Sequence, residues 1–289
     1  AYPTTNILVN KPFRAVFTGS SEGQLLIAAP TPIDQRYLAG DMVLVTRLDA
    51  PFLENVYAML DRSVGTAPGG RIVVDAATVG AVLDESSSNG VPDAGPNGEL
   101  DNAAAFGTGD VFTRSGDDYE LSRDRFFAEG AVRPTRVYYN HFAGPDQFIV
   151  GPLGGIAEGG GIIVSDPLIL LSTEGSNHGG GEPGCCSGSL YPYSFNYAPG
   201  AVFNSIESFN GRAFGGLAGN GQAQVSDFIR AGGTFGLGNV WEPFSFSVPD
   251  TVFCVNNFLQ GNLTWVEAAW TAMPVCSWQQ LVIGDPLAR

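Results

Sequence analysis

Short apolar runs and stretches with helical spacing alternate along the chain. Asp41 to Thr46 is an apolar run, and Asp49-Ala-Pro51 then offers a cap and a first-turn proline. A helix is expected next, with Phe52, Leu53, Val56, Tyr57 and Leu60 on one face and its end near Val64-Gly65. Arg71 to Asp75 reads as a buried strand with Asp75 at its carboxyl end. Asp117 and Asp118 can cap a helix that runs through Leu121 and Phe126 to Gly130, with Arg136 to Tyr139 as the following strand. The second half adds strand-like runs at 161–164, 168–171 and 202–208. A helix follows over 222–231, with Val225, Phe228 and Ile229 on one face and Gly232-Gly233 after it, and then a strand over 234–240. Thr264-x-x-Glu267 is a capping box that opens a helix through Val266, Trp270 and Met273, stopped by Pro274. Gln280 to Ile283 supplies a last strand. Strands that alternate with helices predict an α/β fold with three layers and a mainly parallel sheet of about six strands.

The same pattern divides the chain. Residues 1–40 read as an irregular N-terminal segment and 41–289 as one α/β domain with loop insertions at 84–109 and 174–199. The first insertion is rich in Ser, Gly, Asn, Pro and Asp. The second carries Tyr191, Tyr193, Phe195 and Tyr197 at alternate positions, which predicts an extended hairpin or lid. No internal repeat is visible.

Composition narrows the function classes. The 289 residues suffice for a sizeable core without metals or staples. Only 15% are charged while 39 are Gly, so long polar loops are expected on a folded core. Fourteen basic against twenty-nine acidic residues give a net charge of −15, which repels phosphate backbones and disfavours nucleic acid as a partner. No run reaches the roughly 18 apolar residues that cross a bilayer, so no transmembrane segment is expected. Ala1 has no basic, apolar and small leader behind it, as expected of a processed exported chain or of an artificial boundary. The low charge density and many small polar residues fit an extracellular or cell-surface protein. Cys185, Cys186, Cys254 and Cys276 allow three pairings if all are oxidised. Adjacent cysteines bridge each other only with strain, so Cys185 or Cys186 is expected to pair with a distant partner.

The candidate chemistry centres on AVFNSIESFNGRAF, residues 201–214, where an apolar run leads to Ser208, Asn210 and Gly211. His178-Gly179 lies thirty positions upstream of Ser208, after the apolar run 167–171. This arrangement resembles gingipain-like cysteine peptidases, relatives of the caspases, in which adjacent parallel strands end in a His-Gly and a Cys-x-x-Gly. The resemblance implies a caspase-like fold and a dyad at His178 and Ser208, with a hydroxyl where the family has a thiol. A thiol is a few per cent ionised near neutrality and a serine hydroxyl essentially never is, so the exchange removes the intrinsic nucleophile. An alternative nucleophile beside His178 is Cys186 or Cys185. The stretches LVTRLDAP at 44–51 and GGTFGLGNVWEPFSF at 232–246, with GNLTWVEAAWTAMPVCSWQQLVIGDPLAR at 261–289, are similar to an exported bacterial family. That family occurs in species with the exosortase surface-sorting system and looks distantly related to the gingipains. Its usual opening strand and helix have no counterpart in residues 1–40, which predicts an open sheet edge able to take a strand from a partner or a second copy.

Other carboxylates offer weaker readings. SSSNGVPDAGPNGELDNA resembles a degenerate calcium loop, with Asn89, Asp93, Asn97, Glu99 and Asp101 as oxygen donors for Ca2+. Asp49, Asp75 and Glu242 form a second candidate cluster if all three lie at carboxyl ends of strands. Asn262 heads a glycosylation sequon, although helix entry is its simpler role. The leading expectation is an exported, non-catalytic protein that binds or self-assembles as a structural subunit. The alternatives are a gingipain-like cysteine peptidase and a calcium-stabilised matrix or carbohydrate binder.

Overall fold

The computed structural model describes residues 15–17, 25–27, 43–65, 69–75, 136–140, 149–153, 162–174, 191–207, 209–214, 222–241, 249, 251–259, 263–273 and 280–289. Ten strands are described: β1 Ala15–Phe17, β2 Leu25–Ile27, β3 Arg71–Asp75, β4 Arg136–Asn140, β5 Ile149–Val150, β6 Ile162–Ile163, β7 Leu168–Glu174, β8 Tyr197–Ile206, β9 Phe235–Asn239 and β10 Gln280–Ile283. The helices are α1 Leu53–Ser63, α2 Val225–Arg230, α3 Thr251–Leu259 and α4 Trp265–Ala272.

Six strands form one sheet in the order β10-β9-β8-β7-β3-β4. The pairs β4–β3, β3–β7, β7–β8 and β8–β9 are parallel, and β10 closes the sheet antiparallel to β9. Side chains on a strand alternate between faces, so each strand feeds two cores. Ile72, Val74, Ile169, Val202, Phe235 and Leu237 meet Val255, Trp265, Ala268 and Ala269 of α3 and α4 on one side. Val73, Leu171, Phe203 and Ile283 meet Met59 of α1 and Val225, Phe228 and Ile229 of α2 on the other. This mixed, mostly parallel six-stranded sheet, with helices contributing to both cores, is compatible with an α/β fold.

Several expected elements form for the expected reasons. Thr264 N donates to Glu267 Oε2 at 2.9 Å, completing the capping box of α4. Gly232 takes φ of +114° just after α2, and Gly233 N donates back to Phe228 O at 2.9 Å.

Others differ. The apolar run at 41–46 is no strand among the described residues: 43–50 has no regular secondary structure and meets β10 through an isolated bridge between Arg47 and Ile283. The first helix begins at Leu53 with Phe52 as N-cap, while Asp49 Oδ1 accepts from Ala50 N at 2.8 Å. Its inward residues are Met59 and Ser63, whereas Phe52, Leu53 and Tyr57 are exposed. Ile162 and Ile163 pair with β5 outside the main sheet. The end of the second insertion is core instead of hairpin. A 3₁₀ turn spans Tyr191–Ser194, Tyr191 and Phe195 are buried, and Tyr197 opens β8. The backbone at Gly151 lies so close to Ser194 and Phe195 that a Cβ there would collide with both. Helix α3, not anticipated, puts Cys254 in the core with Val255 and Phe258. Asp117, Asp118 and the helix expected after them lie outside the described residues. No helix among the described residues is long and apolar enough to cross a membrane.

Candidate functional site at the carboxyl ends of the strands

The chain leaves β3 for β4, the last strand on that side among the described residues, and returns to lay β7 on the other side of β3. Open α/β sheets bind ligands at the carboxyl ends beside such a reversal. Asp75 ends β3, opposite Asn140 of β4 and Thr173 of β7. Its carboxylate is fully buried, and the Tyr191 hydroxyl lies 2.9 Å from both Asp75 Oδ2 and Ile149 O. Thr173 in turn faces Ser205 of β8.

β7 and β8 are adjacent and parallel, with Glu174 opposite Ile206. His178 follows the end of β7 by four residues and Ser208 follows the end of β8 by two. His178, Cys185, Cys186 and Ser208 lie outside the described residues, as do Cys276, Glu242, Asn262 and the calcium candidates Asn89, Asp93, Asn97, Glu99 and Asp101. Among the described residues no cluster of His, Cys, Asp and Glu is arranged to hold a metal ion. Asp49 and Asp75, two members of the expected cluster, do not come together. Arg47 sits beside Ile283, which pairs with Gly236 near the amino end of β9, so Asp49 lies at the opposite end of the sheet from Asp75. Asp49 pairs there with the Arg47 guanidinium.

The turn after β8 is fastened through buried amides. Asn210 Nδ2 donates to Ser205 Oγ at 2.6 Å, and its Oδ1 accepts from Asn239 N at 2.5 Å. Asn239 Nδ2 donates to Glu207 O at 2.9 Å, and Gly211 N to Asn239 O at 2.9 Å. Gln222 Oε1 accepts from Phe209 N at 2.9 Å, Gln224 Oε1 from Ala213 N at 3.2 Å, and the buried Glu207 Oε1 from Ala223 N at 3.3 Å. Glu207 and Phe209, the two neighbours of Ser208, are thus both tied to the segment leading into α2. A second set joins β7 and β8 to the start of α3: Asn204 Nδ2 donates to Thr251 Oγ1 at 2.9 Å and to Pro249 O at 2.6 Å, and Ser172 Oγ is 3.1 Å from Thr251 Oγ1.

Sequence reasoning gave Asn210 no bonding role and missed Gln222, Gln224, Asn239 and the contact between Asp75 and Tyr191. A signal existed, because amides set beside apolar strand runs must find partners when buried. Comparison with protein-family models, with curated proteins and with solved structures finds no match for this chain. The chemistry of the site is that of hydroxyls, amides and shielded carboxylates.

Two phenols beside this scaffold couple stability to pH. Tyr197 donates to Pro192 O at 2.6 Å, and burial of the hydroxyl raises its pKa well above the ordinary value even though the ring is partly exposed. Tyr193 donates to Asp227 Oδ1 at 3.2 Å, and burial, then the Asp227 charge, raise its pKa as well. The unfolded phenols lose protons near pH 10 while the folded ones hold theirs, so stability is intact below that pH and falls above it. Urea midpoints measured from pH 8 to 11 are expected to drop beyond about pH 10. Tyr197→Phe should flatten the drop; an unchanged slope would count against Tyr197 as a source.

Proposed function

We propose that this chain is an exported, non-catalytic surface or extracellular protein that binds a protein partner or a second copy of itself, on a scaffold of the caspase and gingipain kind. The reading is carried by one observation: β7 and β8 are neighbouring parallel strands, and the chain beyond them leads to His178 on one and Ser208 on the other. In the peptidases this chain resembles, those two positions hold an imidazole and a thiol. A hydroxyl at the second would leave such a dyad without its thiol nucleophile. Five parallel strands with one antiparallel edge support the same scaffold. β4 is the last strand on its side of the sheet, and among the described residues no strand pairs with its outer edge. Such an edge offers main-chain groups to an added strand.

The test has two arms. Sedimentation velocity over a wide concentration range is expected to show association of the purified chain, or affinity capture from the native source a protein partner. A monomer at every concentration with no partner recovered counts against the reading. A thiol-reactive peptidyl probe is expected to leave the chain unlabelled. Labelling at Cys185 or Cys186 that disappears in His178→Ala would replace the reading with a cysteine peptidase. A melting temperature that falls on chelation would favour the calcium-stabilised binder.

A further inference from the structure

The carboxyl-end rim carries a cation set against two aromatic rings. Arg212 lies on the fastened turn after β8, and its guanidinium carbon sits 5.3 Å from the centre of the Phe209 ring and 5.7 Å from that of Trp241. The two rings meet edge to face at 5.8 Å. Arg212 and Trp241 are exposed. Arg71 pairs with Asp166 and Arg62 donates to Gly233 O at 2.6 Å, while Arg47 pairs with Asp49 and lies over the Phe214 ring, and Arg230 lies over Phe52 and Tyr193 at the other end of the sheet. Among the described residues Arg212 has aromatic neighbours and no carboxylate, in a chain whose acidic residues outnumber its basic ones by two to one.

We propose that Phe209, Arg212 and Trp241 form a recognition site for a carboxylate-bearing peptide, with the carboxylate on Arg212 and an adjacent apolar side chain on Trp241. Aromatic rings attract a cation and orient it while leaving its N–H groups available, and guanidinium binds carboxylate through two parallel hydrogen bonds. The site is preorganised. Arg212 N donates to Phe209 O at 3.1 Å, Asn210 and Asn239 lock the turn to β9, and Trp241 follows Asn239 by two residues. Gly211 and Gly238 let the two backbones meet, since a Cβ on either would approach the other to about 3 Å. Rigid anchoring of this kind lowers the ordering cost of binding.

This inference rests on the reading of the chain as a binding protein, but neither on the β4 edge nor on the fate of His178 and Ser208. The test uses the full chain and acetylated, amidated hexapeptides with one Asp or Glu beside Leu or Ile, followed by tryptophan fluorescence and calorimetry. Asn and Gln versions serve as controls, and peptides with only a free C-terminal carboxylate form a second arm that separates the two sources of the group. Binding by either carboxylate arm is expected, with about a tenfold loss in Arg212→Gln, a smaller loss in Arg212→Lys and a loss in Trp241→Ala. Equal affinity for the amide controls, no effect of Arg212→Gln, or no binding by any peptide would overturn the site. Sedimentation of Arg212→Gln, whose side chain is exposed and whose fold is checked by its melting temperature, reads the assembly hypothesis separately.

Discussion

Asn210→Ala is expected to lower unfolding stability by about 2–4 kcal/mol, because one amide bridges two strands and a turn in the interior. The substitution removes the donor to Ser205 Oγ and the acceptor of Asn239 N, and it leaves both partners buried. A donor orphaned away from water costs more than the lost bond alone, so the effect exceeds that of an average polar truncation. The same change frees the turn that carries Phe209 and Arg212. Urea denaturation measures the first effect, and hydrogen exchange at the Gly211 and Asn239 amides measures the second. Asn210→Asp is no rescue near neutrality, because a carboxylate retains the acceptor for Asn239 N but sets a buried charge against Ser205 Oγ without the lost donor. A stability change below about 0.5 kcal/mol for Asn210→Ala would show that the turn is held by other means.

Trp265→Ala should cost about 3–5 kcal/mol, the range for deleting a large ring from a packed core. Trp265 is completely buried at the start of α4, its ring 4.7 Å from Phe235 and 5.5 Å from Phe258. Its Nε1 donates to Ile283 O at 3.0 Å, tying the helix to the antiparallel edge strand. Trp265→Phe separates the two contributions: it keeps most of the apolar packing, orphans the carbonyl, and should cost about 1–2 kcal/mol. Equal losses for the two variants would assign the stabilisation to the hydrogen bond rather than to the ring. The peptide site at Arg212 should survive in folded Trp265→Phe, since it lies at the other end of β9 from Phe235.

The two cores explain why the carboxyl-end rim can be at once polar and rigid. Apolar residues of β3, β7, β8 and β9 fill both faces along the strands, and Asn204, Asn210 and Asn239 gather near the strand ends. A satisfied amide network gives direction as well as stability, because each bond has a preferred geometry where apolar contact has none. The turn around Ser208 is therefore oriented by Asn210, Gln222 and Asn239, not by the hydrophobic core. That fastening fits the proposal that the scaffold keeps the shape of a peptidase whose thiol is absent.

Periodicity and punctuation determined much of this protein from the chain alone: an α/β architecture, the strands at 71–75, 136–139, 168–171 and 280–283, the strand at 202–208 as far as Ile206, the glycine stop after α2 and the capping box of α4. Those features depend on local backbone chemistry and on the burial of nearby apolar residues, so they are legible without the rest of the molecule. Tertiary structure alone decided that 43–50 meets β10 by a single bridge, that α1 turns Phe52, Leu53 and Tyr57 outward, and that Tyr191 and Phe195 enter the core. It also decided that Asp49 and Asp75 sit at opposite ends of the sheet, and that Arg212 finds Phe209 and Trp241. Each of these depends on strand order and on which face finds a partner. Such contacts join residues tens to hundreds of positions apart, and local spacing carries no record of them.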